Sequence, residues 1–370
     1  MNSFTSLTFV CTARCVLNAL HAGRFFGLAV ALIATPIANA QVASGRLAAW
    51  GGNSHNQTTI PADLGPCIQI AAGGYHTVAI QTNGSVRAWG HNGAGQTTIP
   101  TDLGACIKIA AGDYHTVAIQ TNGTVRSWGS EPANTPADLG ACIQIAAGWY
   151  HTVALQTNGS VRAWGGNGSG QTTVPADLGG CIEIAAGYGH TVAIQTNGSV
   201  RAWGYNNEGQ TTIPANLGSC IQIAAGFSHT VAIQTNGSVR AWGNNYYGQT
   251  TIPADLGGCT QIAAGGSHTV AIQTNGSVRA WGRNDYGQTT VPADLGACRQ
   301  IAAGSYHTVA IKRLCPADIV DDGSVDGIDL GAVLSAWGTS GGTIDADINN
   351  DGVVNGVDLS YILGGWGPCL

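Results

Sequence analysis

The sequence predicts a mainly β protein, a seven-bladed β-propeller followed by a small α-helical domain with two calcium-type loops. Three observations carry this. A Trp-Gly pair recurs at Trp50, Trp89, Trp128, Trp164, Trp203, Trp242 and Trp281, every 39 residues with one step of 36. Each copy holds short segments on both sides of an Asn-Gly turn, as in "HTVAIQTNGSVRAWG" from His76. The last fifty-odd residues carry two acidic stretches built around a glycine, "DIVDDGSVDGID" and "DINNDGVVNGVD".

A fixed period near 40 marks a repeat architecture, in which each unit is one supersecondary element stacked on its neighbours. Asn-Gly between two alternating segments predicts a hairpin. Within each unit "CIQIAAG", "HTVAI" and "SVRAW" read as strands, and the "QTTIP" that follows reads as a fourth. Seven units of four short strands describe a propeller. The array opens on "GRLAAWG" with no preceding "HTVAI" and ends on "HTVAIKR" with no following "SVRAWG". The two incomplete units complement each other, so one blade is expected to close with strands from both ends and leave no open sheet edge.

Composition agrees with short strands and tight turns. Charged residues are 9% of the chain, against roughly 25% in ordinary globular domains, and 55 of 370 residues are glycine. The net charge of −6 is unevenly spread: from Pro316 onward there are nine acids and no Lys or Arg. Residues 41–315 hold 11 acids and 12 bases, so nothing reads as a basic surface, and nucleic acid is not expected as a partner. At the N-terminus Arg24 precedes the apolar run "FFGLAVALI", and Ala38 to Ala40 offer a small-x-small cleavage site, so residues 1–40 read as a signal peptide. That run is too short for a membrane span, and the remainder, a propeller over 41–313 and a tail domain over 316–370, is expected to be secreted or held at the cell surface.

The repeat "AAG-x-x-HTVAI-x-TNGSVRAWG-x-N-x-x-GQ" resembles those of regulator of chromosome condensation 1. It is closer still in style to secreted bacterial members, such as β-lactamase inhibitory proteins of the propeller type. The resemblance covers about 43–313 and implies a protein-binding ring. The exchange-factor role of the chromatin-bound members is not expected of an exported, non-basic chain.

The internal copies vary in two windows: the pair before each His-Thr, and the segment after each Trp-Gly. Hairpin geometry puts both at the same end of the blade, opposite the uniform "TNG" turns. Nine of the ten tyrosines fall there, giving the candidate ligand-binding residues Tyr75, Tyr114, Trp149, Tyr150, Tyr188, Tyr205, Phe227, Tyr246, Tyr247, Tyr286 and Tyr306. Such rings supply large contact area with a polar tip and suit recognition of a protein or a glycan; neutral drift of loops is the bland alternative.

The repeated His76, His115, His151, His190, His229, His268 and His307 invite a chemical reading. His76 shares strand parity with Val78 and Ile80, however, and equivalent positions on different blades are too far apart to share one ion. They are expected at the edge of a buried layer, bonded to neighbouring backbone. Cys67, Cys106, Cys142, Cys181, Cys220, Cys259 and Cys298 recur once per unit and read as buried free thiols, whereas Cys315 and Cys369 bracket the acidic tail and are expected to form a disulfide. Arg87 and Asp63, with their copies, read as a ring of ion pairs.

The tail loops place oxygen donors at calcium-loop spacing. The second sets Asp347, Asn349, Asp351, Asn355 and Asp358 at positions 1, 3, 5, 9 and 12, with the Val353 carbonyl at 7 and Gly352 at the sharp turn. The first offers Asp318, Asp322, Ser324, Asp326 and Asp329, but position 3 is Val320, so two calcium ions are expected, the first held more weakly. One short helix follows each loop, with Leu330, Val333, Leu334 and Trp337, and Leu359, Ile362, Leu363 and Trp366, spaced so that the two faces can pack together. This duplicated loop and helix resembles a type I dockerin over about 316–368. The resemblance implies EF-hand-like calcium binding and docking to a cohesin-type partner, often in polysaccharide breakdown. A second reading is a calcium-stapled terminal domain with no cohesin partner.

The expected function is therefore that of an exported, non-catalytic binding or scaffold protein. The alternatives are a glycoside hydrolase component and a purely structural surface protein. A glycosidase needs two carboxylates about 5–10 Å apart. The acids that break the repeat, Asp113, Glu131, Glu183, Glu208 and Asp285, lie on separate units with no motif around them, and no catalytic residue is expected.

Overall fold

The computed structural model describes residues 47–130, 135–293, 295–313, 317–319, 324–339, 346–349 and 352–368, the side chains at 324 and 368 excepted. The chain divides into a unit Met1–Ala40 and a unit Gln41–Leu370. The expected signal peptide, Glu131, Val320, Asp322, Asp351, Cys315 and Cys369 lie outside the described residues.

Seven antiparallel three-stranded sheets follow one another. In the first complete blade β2 (Cys67–Ala72) pairs with β3 (His76–Gln81), which pairs with β4 (Val86–Gly90). Five further copies follow, ending at Gly129, Gly165, Gly204, Gly243 and Gly282. The seventh blade joins Cys298–Ala303 and His307–Lys312 to β1 (Leu47–Gly51), in register from Leu47↔Ile311 to Gly51↔His307. The expected closure by strands from both ends is thus realised.

The expected fourth strand is not formed. "QTTIP" and its copies run as turn and loop. The Gln57 side-chain oxygen accepts from the His55 amide, and Asn53 accepts from the Thr58 amide. The Gln57 carbonyl is taken by two side chains of the next blade, the Thr77 hydroxyl (2.8 Å) and the Trp89 indole (3.0 Å). With that carbonyl occupied and a proline lacking an N–H four residues later, no backbone ladder can extend the sheet.

The core is a set of similar clusters, each shared by two blades. Val78, Ile80 and Val86 of one blade meet Cys106, Ile109, Ala118 and Trp128 of the next. Cys67, Ile70, Ala79 and Trp89 meet Val309 and Ile311 across the closing seam. The middle strand is buried on both faces, because Val78 and Ile80 turn toward the following blade while Ala79 turns toward the preceding one. The repeat cysteines are buried and free, as expected. The Cys67 thiol donates to the Gly65 carbonyl at 3.2 Å, and burial pushes it up to about 11.

All seven repeat histidines are fully buried, but their partner is not the backbone. Nε2 of His76 bonds the Thr116 hydroxyl of the next blade at 2.9 Å, and His115 bonds Thr152, His151 bonds Thr191, His190 bonds Thr230, His229 bonds Thr269 and His268 bonds Thr308. His307 reaches Thr77 at 3.0 Å and closes the circle. Thr77, Thr116, Thr191, Thr230, Thr269 and Thr308 each give their proton to a glutamine carbonyl, so the imidazole donates from Nε2. Nδ1 has no hydrogen-bond partner in any copy. Burial holds the rings neutral, with His76, His115, His190 and His268 down to about 3. The glycine three residues before each histidine is wedged between that imidazole and the next blade's backbone; a Cβ on Gly73 would strike the Gly112 carbonyl and the His76 ring.

Surface ion pairs repeat as expected: Arg87–Asp63, Arg126–Asp102, Arg162–Asp138, Arg201–Asp177 and Arg279–Asp255, at 2.9–3.1 Å. Arg240 bonds Asn216 instead. The carboxylates are mostly exposed, so these pairs contribute little.

In the tail α1 (Gly327–Ser335) and α2 (Gly356–Gly364) are each opened by a capping box, Asp326 with Asp329 and Asn355 with Asp358. Val333, Ile362, Val325 and Val354 form a buried cluster. The expected face packing is only half realised: Leu334, Leu363, Trp337 and Trp366 are 47–61% exposed. With nine-residue helices, contact passes through Val333 and Ile362, and the flanking positions turn outward.

His190→Ala removes a buried ring and the bond across one seam. It should cost about 2–4 kcal/mol in urea unfolding, read as a lower midpoint at unchanged slope; a variant as stable as the parent would contradict the seam's role.

Candidate binding face

Strand register brings the two variable windows together. His76 is opposite Gly90, so Tyr75 and His91 are neighbours, and the His91 amide donates to the Tyr75 carbonyl at 2.8 Å. The same bond recurs on every blade, from Ser130, Gly166, Tyr205, Asn244, Arg283 and Gly52 to the residues before His115, His151, His190, His229, His268 and His307. Each candidate aromatic residue therefore sits at the histidine end of its blade, as expected.

The windows divide further. The first residue of each pair before His-Thr (Asp113, Trp149, Tyr188, Phe227, Gly266 and Ser305 on six blades) lines a cavity of about 140 Å³ where the seven Ala-Gly strand ends converge. The second residue stands outside it. Axial and outer positions thus alternate along the chain, a split that the sequence encodes but that emerges only once the inner strand is known.

The rings form two groups. Trp149 stacks on Tyr150 (5.3 Å) and Phe227 (5.7 Å), meets Tyr188 edge-on, and lies 6.5 Å from Tyr114. Its indole N–H is buried without a hydrogen-bond acceptor. In the second group Tyr306 contacts Tyr75 (5.3 Å) and Tyr286 (5.1 Å), and Tyr75 contacts His55. The Arg283 guanidinium lies 4.8 Å over Tyr247, which meets Tyr246 edge-on. Tyr246 is 82% exposed and Tyr286 54%. Tyr205 packs against Gly189 and joins no ring contact among the described residues. Sequence reasoning missed His55, His91 and Arg283, which share the window after Trp-Gly but are not tyrosines.

The acids that break the repeat occupy separate surroundings. Glu208 accepts from Asn244 and Asp285 pairs with Arg283. Glu183 stands where five blades carry glutamine and one carries Lys108; burial pushes its carboxyl up to about 8, and it bonds the Ile223 backbone. Asp113 lies over Gly74, with the Ser305 hydroxyl at 3.4 Å, and burial pushes it up to about 6.

In the tail the carboxylates at position 12 are fully buried and turned onto loop amides. Asp329 accepts from Ile319 and Asp326, and Asp358 from Ile348 and Asn355. Asp347 accepts from Gly352, the Asn355 side chain caps α2 and donates to the Val353 carbonyl, and Asp318 is buried. Asn349 donates its amide to Asp358. No group of three or more His, Cys, Asp or Glu able to hold a metal converges among the described residues. The oxygen donors of the two loops, with Asp318, Asp329 and Asp358 buried, are of the kind a hard cation takes; Asp322 and Asp351 lie outside the described residues.

Six segments, 67–96, 106–132, 142–171, 181–210, 220–249 and 259–288, match the regulator of chromosome condensation (RCC1) repeat. These six segments are RCC1-like repeats. Solved structures agree on the fold. The Prp20p structure from Saccharomyces cerevisiae, described with its binding to Gsp1p and histones, superposes with a TM-score of 0.64 at 19% identity, over 73% of this chain and 91% of that one. Human WBSCR16 gives 0.63 at 17% identity, over 72% and 99%. The ectodomain of the Arabidopsis thaliana receptor kinase ACR4 gives 0.55 at 21%, over 67% and 94%. No curated protein matches the chain. Among the described residues no helix is long and apolar enough to cross a membrane.

Because its pKa is raised on folding, Asp113 contributes stability below the unfolded value near 3.9 and loses it as pH rises through about 6. Asp113→Asn should therefore melt above the parent at pH 8 and equal to it at pH 3.5; equal melting at pH 8 would show the carboxylate well solvated.

Proposed function

We propose that the protein is an exported, non-catalytic binding module that captures a protein partner on the histidine-end face of its propeller. The observation that carries this is the placement of rings: Tyr150, Tyr246, Tyr247 and Tyr286 stand 40–82% exposed at one end of a scaffold whose other positions repeat. Exposed tyrosines beside an arginine are the composition of interface hot spots. The RCC1-type fold supports this reading, since Prp20p is described with protein partners. The dispersal of the acids that break the repeat weighs against hydrolysis.

The tail adds calcium. In our reading its two loops each hold a Ca²⁺ through the acids and carbonyls named above, the first more weakly because of Val320, and the folded tail docks the protein to a cohesin-type or other surface partner. The ion supplies charge neutralisation for the buried acids; the protein's residues provide the oxygen cage and the helix caps.

Replacing Tyr150, Tyr246, Tyr247 and Tyr286 together by Ala should abolish capture of partners from the exported proteins of the source organism, while the melting temperature stays within 2–3 °C. Undiminished capture would overturn the face assignment, and recognition of a glycan on an array by the parent alone would move the ligand class from protein to sugar. For the tail, Ca²⁺ titration should give two binding events, and Asp358→Ala should delete the tighter one; a single event or none contradicts the pair of sites.

A further inference from the structure

The axial cavity is lopsided. Three rings, Trp149, Tyr188 and Phe227, occupy three consecutive blades, so one arc of the mouth is aromatic. The remaining arc carries Asp113, Gly266 and Ser305, small or polar. The Asp113 carboxylate leans over Gly74 toward Ser305, and that hydroxyl, at 3.4 Å, is its closest side-chain donor. No salt bridge reaches it among the described residues. A half-buried carboxylate without a counter-charge is costly, and the cost is recovered if a ligand brings the charge. The aromatic arc, whose rings pack on one another, offers an apolar wall along which the alkyl stem of such a ligand can lie.

We propose that this cavity receives one cationic side chain, a lysine or arginine, from the protein bound on the face. An acidic side chain would meet Asp113 with like charge, and an aliphatic one would fill the space while leaving the carboxylate unpaired. The Ala-Gly strand ends line the same cavity, and the charged tip pairs with Asp113 while the alkyl stem lies along the aromatic arc. The inserted residue then sits at the centre of the contact, surrounded by the outer tyrosines, where water is excluded and one side chain contributes most. This rests on the face being the binding surface, and it names what that surface selects.

The test uses the full chain and three probes in titration calorimetry: Nα-acetyl-lysine methylamide, its neutral Nε-acetyl analogue, and glucose. The lysine probe should bind at millimolar concentration and the other two at least tenfold more weakly. Asp113→Asn should weaken the lysine probe at least tenfold while melting no lower than the parent, which separates lost binding from lost folding. Trp149→Phe keeps a ring and should weaken it less. Absence of lysine binding, equal binding of the neutral analogue, equal binding by Asp113→Asn, or preferential binding of glucose would each overturn the assignment. If the variant lacking Tyr150, Tyr246, Tyr247 and Tyr286 loses its partner while the lysine probe never binds the parent, the axial inference falls and the binding face stands; if the partner is retained and the probe binds, the reverse holds.

Discussion

One hydrogen bond, repeated seven times, holds the ring together: imidazole Nε2 of one blade to the threonine hydroxyl of the next, with His307 to Thr77 completing the circle. It lies in a fully buried layer where an unmade bond would be expensive, so every seam has to form it or be replaced by something of equal shape. Much of the repeat follows from that demand. The threonine spends its proton on a glutamine carbonyl, which fixes the tautomer of the histidine. The same carbonyl takes the tryptophan N–H, which pins the outer strand and removes the loop from the sheet. The glycine beside the imidazole leaves room for the neighbouring blade's backbone. Chain segments that meet seven times in one geometry are under one set of constraints, and they read nearly letter for letter.

What lies just outside that layer is free to differ, and it differs on one face. The pair before His-Thr sends its first residue to the axis and its second outward, so two residues per blade write both a central cavity and its rim. The axial set is asymmetric, with three rings on consecutive blades and a carboxylate on the other arc, although the scaffold beneath it is close to sevenfold. Asymmetry on a symmetric frame is what recognition of a single, asymmetric partner requires. It is a poor arrangement for hydrolysis, because Glu208 and Asp285 are each engaged by a neighbour and Glu183 is bound to backbone.

The period, the hairpins, the closing of the last blade by both chain ends and the shared face of the two windows were all legible in the sequence. Each depends on local rules: Asn-Gly turns, strand parity and counting. The missing fourth strand was not, because "QTTIP" has strand-like residues and only the neighbouring Thr77 and Trp89 reveal that its glutamine carbonyl is already bonded. The histidine's partner was hidden for a similar reason, since Thr116 is 40 residues away and next to a histidine of its own. The axial cavity needed the order of strands about the axis. In the tail the two helices were legible from their apolar spacing, whereas the capping boxes of Asp326 and Asn355 and the outward turn of Trp337 and Trp366 were not.

The central claim is that the seven repeat histidines are neutral latches, six of them Nε2-protonated against a threonine that donates to a glutamine carbonyl. Nitrogen-15 spectra of the imidazole rings, followed from pH 8 to pH 5, test it most directly. All seven rings should show no titration across that range, and six should keep the Nε2–H tautomer with slowly exchanging protons. Repeat histidines that titrate near 6.5 with rapidly exchanging ring protons would contradict the account.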